Sequence, residues 1–170
     1  MKTLKWRVER DIKQRPTTAG PLAAFLLREF PGKDLQSMRW LIMADRVDEA
    51  LTMMRQQIPS SDNPARWIQT AAQTLALPSQ FVAERMGLAA DLWSELATGY
   101  PENHPQEIEA QVASIRCRFQ SGDRQTASAE AELFLLTRPP EDLKQRSLLC
   151  LLYTSPSPRD QRGSRMPSSA

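Results

Sequence analysis

The stretch from Gln106 to Pro139 leaves this chain little choice of fold. Ile108, Val112, Ile115 and Phe119 recur at helical spacing and line one face, while Glu107, Glu109, Arg116 and Arg118 mostly fall off that stripe. Such a face has to be buried. Gly122 suits the left-handed conformation that ends a helix, and Asp123 is placed to cap the next one by accepting hydrogen bonds from its free amides. In that second helix Ala127 and Ala131 share a face that lets a neighbouring helix come close. Leu133, Phe134 and Leu136 are expected to add bulk further along, and Pro139 with Pro140 ends the helix. A helical hairpin this small cannot cover both of its faces, so it requires neighbours.

The rest of the chain supplies them in looser form. Lys2 to Arg15 is basic, with Leu4, Val8 and Ile12 on one line. It reads as the second helix of an upstream hairpin in preference to a free basic arm. After a break at Pro16 to Gly20, Pro21 to Phe30 is apolar through Leu22, Phe25, Leu26 and Phe30, with Pro21 suited to a first helical position. Asp34 is placed to cap a helix running to about Ala44 that carries Leu35, Met38, Leu41 and Ile42. A second helix, Val47 to Ile58, turns Ala50, Leu51 and Met54 inward. No glycine separates the two. Asp45 would have to take the left-handed position, so one continuous helix from Leu35 to Ile58 is the alternative.

Ala65 to Leu77, with Trp67, Ile68, Ala71, Ala72 and Leu75, pairs with a longer helix from Ser79 to about Thr98. The inward positions expected of that longer helix are Phe81, Val82, Met86, Ala89, Ala90, Trp93 and Leu96. Pro59, Pro101 and Pro139 punctuate three irregular hairpins, and Glu141 to Leu149 opens a further unit.

Gly122, Asp123, Ala127 and Pro139 stand at the relative spacing of the turn, the small residue and the terminal proline of the tetratricopeptide repeat. Asp48-Glu49-Ala50-Leu51 resembles the opening of that family's second helix. The first-helix positions that the family fills with Trp, Leu, Gly and Tyr hold Gln111, Ser114, Ile115 and Arg118 here. The resemblance implies an all-α fold over residues 1–149, with antiparallel helical hairpins stacked as a fragment of an α-solenoid. It also implies a groove, lined by first helices, that holds a protein or peptide segment; Arg39, Gln111 and Arg118 are the positions expected there.

Residues 150–170 read differently. Cys150 to Asp160 (CLLYTSPSPRD) resembles an in-frame translation of a transposase-type sequencing adapter. Ser164 to Ala170 (SRMPSSA) resembles the distal part of the same adapter, with Gln161 to Gly163 at its variable index. On that reading the segment is a non-native disordered tail; the other reading is a native tail rich in Pro, Ser and Arg. Charge depends on the choice. The chain has 22 basic and 20 acidic residues, and the tail contributes Arg159, Arg162 and Arg165 against Asp160, so Met1 to Leu149 is balanced. Net charge therefore gives no argument for a nucleic-acid partner.

Catalytic patterns are missing from the sequence. His104 is the sole histidine and has no serine, cysteine or acid beside it. Cys117 lies between Arg116 and Arg118, but successive helical residues point in different directions, and a buried thiol is the expectation. Glu107 with Glu109, and Glu130 with Glu132, are too close in sequence to share a helical face and read as solvated. Trp40, Trp67 and Trp93 read as core. No metal ligand set, cofactor motif or paired Cys-x-x-Cys is present. No apolar run has the length of a membrane span, which makes the cytoplasm the default location. The periplasm is the alternative if a leader precedes Met1.

The sequence thus points to a protein-interaction scaffold without catalysis. Its rivals are a helical accessory region of a larger enzyme or envelope-assembly protein, and the ligand-sensing domain of a regulator. Amplifying the source DNA across the codons for Gln145 to Ala170 is expected to lose the adapter-like stretch and continue the reading frame. Recovering the same codons from genomic DNA would make the tail native and its positive charge a real property.

Overall fold

The computed structural model describes residues 19–77 and 82–154, and these are helical with no strand among them. The helices are α1 (Ala19–Glu29), α2 (Leu35–Met43), α3 (Val47–Gln57), α4 (Pro64–Leu75), α5 (Ala83–Thr98), α6 (Pro105–Ser121), α7 (Arg124–Thr137) and α8 (Leu143–Thr154). A short 3₁₀ turn, Ile58–Ser60, follows α3. The expected helix over Lys2 to Arg15, and Phe81 with the expected start at Ser79, lie outside the described residues.

Local chemistry sets most of the boundaries. Asp34 caps α2 by accepting from the Ser37 amide at 2.7 Å, and Asn63 caps α4 by accepting from Arg66 at 3.1 Å. Pro64 and Pro105 occupy opening positions where the absent N–H is no loss. Val82, expected to be inward, instead precedes α5 as its cap residue and is 48% exposed.

The chain from Leu35 to Gln57 is two helices, which overturns the continuous-helix alternative. Asp45 takes the left-handed conformation at φ 65°. Its amide bonds to the Ile42 carbonyl at 3.2 Å, and the Arg46 amide bonds to the Leu41 carbonyl at 2.9 Å, so the last carbonyls of α2 are satisfied by the turn. The α6–α7 turn uses Gly122 at φ 101°, and Asp123 accepts from the Thr126 amide at 3.4 Å. Beyond both turns the burial pattern agrees: Ala50 and Met54 in α3, and Ala127 and Ala131 in α7, stand at the same steps from the left-handed residue and are fully buried.

Among the described residues the core divides into three clusters. Met38, Leu41, Ile42, Ala50, Met54, Trp67, Leu75 and Trp93 belong to the largest, which runs from α2 to α6. Ala19, Ala23, Leu26, Trp40 and Met43 join α1 to the other side of α2. Val112, Ile115, Ala127, Ala131, Phe134, Leu149 and Leu152 join α6, α7 and α8. Trp40, Trp67 and Trp93 are core, as expected. Helix α6 belongs to two clusters, since Ala110 and Cys117 face the first while Val112 and Ile115 face the last.

Two further expectations do not hold. Leu133 and Leu136 are exposed and only Phe134 of that trio is buried, because the face containing Ala127, Ala131 and Phe134 turns residues 133 and 136 outward at helical pitch. At the other end, helix α8 continues past Leu149 to Thr154. Leu152 is buried with Leu149 because their spacing extends the same apolar face, so residues 150–154 are helical where a disordered tail was expected; residues 155–170 are not among those described.

A Cβ at Gly122 would meet no atom within 4 Å, so a substitution there tests backbone conformation alone. Gly122→Ala is expected to cost about 1 kcal/mol, read as a lower urea midpoint at unchanged slope, with Gly122→Asn costing less.

Candidate functional site

The three residues expected to line a partner groove lie on α2 and α6. Arg39 is half-buried, and its Nη1 donates to Gln36 Oε1 one turn earlier at 3.3 Å. Gln111 is half-buried on α6. Arg118, a quarter exposed, directs its guanidinium at α7, with Nε 3.3 Å from Glu130 Oε2. That atom is buried and is placed for an ion pair without hydrogen-bond alignment. Burial pushes the Glu130 carboxyl up; Arg118 pulls it down and Asp123 adds to the rise. No polar contact found in the structure joins Arg39 to either α6 residue.

The better-built polar constellation has no motif in the sequence. It begins at Asn103, which sits at φ 64° and turns the chain into α6. His104 then caps that helix: its Nδ1 accepts from the Gln106 amide at 3.2 Å, and its ring stacks on Tyr100 with centroids 5.4 Å apart. The histidine is accounted for by capping and stacking. Glu107, expected to be solvated, is only 4% exposed. Its Oε2 accepts from the Asn103 amide at 3.2 Å, and its Oε1 accepts from Arg138 Nη1 at 3.1 Å.

Arg138 comes from the far end of α7. Its guanidinium lies 3.7 Å from Glu102 Oε1 and over the Phe134 ring at 5.3 Å from the centroid. A buried carboxylate is therefore fully engaged, and it ties the start of α6 to the end of α7. The sequence hinted at this only through position, because Glu107 falls in the first helical turn, where a side chain can reach back to the preceding loop. Arg138 carried no local signal.

Beside this corner lies an open depression of about 680 Å³ whose wall includes Ile108, Glu109, Arg138, Asp142 and Gln145. Its arginine is already committed to Glu107. Nor does the arrangement offer an activated nucleophile. Cys117 is fully buried, and burial pushes its thiol up against the smaller opposing pull of Arg116, which keeps it protonated at neutral pH. Among the described residues no three His, Cys, Asp or Glu side chains are grouped so as to hold a metal ion, and no helix is long and apolar enough to cross a membrane.

Glu107→Ala would leave both the Asn103 amide and Arg138 without their acceptor. The expected loss is about 2 kcal/mol, with the Glu107→Ala/Arg138→Ala pair showing a coupling of about 1 kcal/mol in a double-mutant cycle. Additive losses would mean that the ion pair contributes nothing beyond packing.

Comparison of the chain with known protein families, with curated proteins and with solved structures finds no match, and its chemistry has to be argued from its own geometry.

Proposed function

We propose that this chain is a protein-interaction module: a fragment of a tetratricopeptide-like helical array that holds an extended segment of a partner protein and performs no chemistry itself. The observation that carries this reading is the agreement of two hairpins. Asp45 and Gly122 make equivalent left-handed turns, and the buried residues that follow, Ala50 and Met54 in one and Ala127 and Ala131 in the other, keep the same register. Units that agree at this level while differing in sequence are what a stacked array requires. On the same reading residues 150–170 derive from adapter read-through.

Within that proposal Arg39 and Gln111 remain the polar positions that would face a bound segment, with Arg118 buttressed by Glu130 at its margin. Peptides selected from a displayed random library on the full chain should show a shared motif. Their affinity should fall by about tenfold or more with Arg39→Glu or Gln111→Glu while the melting temperature stays within the usual range for surface changes. Selection of no motif, or of motifs indifferent to both substitutions, would overturn the groove assignment.

A further inference from the structure

We infer that the turn between α2 and α3 is a hinge, kept folded by an ion pair from α5, and that its release lets two copies of the chain exchange α1–α2. The two hairpin turns differ in how well they are built. At the α6–α7 turn a glycine takes the left-handed position and Asp123 caps the following helix. At the α2–α3 turn an aspartate takes it, and α3 begins at Val47 with no side-chain cap. Nothing in Ala44-Asp45-Arg46-Val47 breaks a helix, since neither glycine nor proline is present. A continuous helix would relieve the left-handed aspartate and give the opening amides of α3 carbonyl partners on α2. The Arg46–Glu49 pair, at helical spacing, would survive in either form.

What opposes straightening is tertiary. Arg85 of α5, almost wholly buried, donates from Nη2 to Asp45 Oδ1 across the molecule. Met38, Leu41 and Ile42 of α2 share a core with Ala50 and Met54 of α3 and with Trp67 of α4. A lone chain cannot open the hinge without exposing that core. Two chains can, because α2 of each then packs on α3 and α4 of the other with the same contacts, and only the hinge itself differs between the forms.

Arg85→Ala in the full chain is therefore expected to raise the dimer association constant by about tenfold for each hinge released, measured by sedimentation after refolding at high concentration. In that dimer the amides of Val47, Asp48 and Glu49 should gain protection from hydrogen exchange as the helix runs through them. Asp45→Gly/Arg85→Ala should return to monomer, since glycine favours the folded turn. Asp45→Ala, which removes the ion pair and strains the turn further, should dimerise at least as strongly and provides the test should Arg85→Ala fail to fold. The inference is overturned if the folded variants stay monomeric. Dimers whose Val47 to Glu49 amides remain unprotected, or that persist in the glycine double variant, would overturn it equally.

Discussion

The close approach of α5 and α6 is the contact on which the rest of the structure depends. Among the described helices these two make the most extensive contact, through small side chains: Ala89, Ala90 and Ala97 on α5, and Ala110 and Cys117 on α6, all buried. The Ser114 hydroxyl reaches across and donates to the Ala90 carbonyl at 2.8 Å, which satisfies its own polar group where no water is available. Because α6 presents Val112 and Ile115 to α7 and α8 from its other side, the same helix transmits the packing of the larger core to the smaller one. Bulky residues on the α5 side would separate the two clusters.

Polar ties add to this packing at its corners. Glu107 and Arg138 close the α6–α7 hairpin at the end opposite its glycine turn, while Arg85 and Asp45 join α5 to a turn far away in sequence. Both place one buried charged group against a more exposed partner. Removing one member of such a pair leaves a buried charge alone, so the ties constrain geometry more than they add net stability. Under the proposed function, constraints of this kind would keep a binding groove in one shape, since a rigid receptor lowers the ordering cost of binding a flexible segment.

Particular residues show how far the sequence could be read. Apolar spacing suffices for the α6 stripe, for Trp40, Trp67 and Trp93 and for most of the α4–α5 hairpin, because burial of a periodic face is a local property of the chain. It is insufficient at Leu133 and Leu136, whose bulk does not bring burial, and at Glu107, whose charge does not bring exposure. In each case the decisive fact is which side a neighbouring helix occupies. Arg39 lies on α2 and Gln111 and Arg118 lie on α6, and the interaction of Arg118 with Glu130 has no signature in spacing.

By itself, then, the sequence determined that the described residues are helical, that Asp34 and Asp123 cap helices, and that Gly122 ends one. Each of these is decided within a turn or so of backbone, by hydrogen bonds from neighbouring residues and by the conformations a single residue tolerates. Tertiary structure alone decided that Leu35 to Gln57 is a hairpin and not one long helix, and that Glu107 is buried. The first outcome rests on the core that α2 shares with α3 and α4 together with the Arg85–Asp45 contact, and the second on Arg138; partners brought from distant helices leave no mark on the local pattern they override.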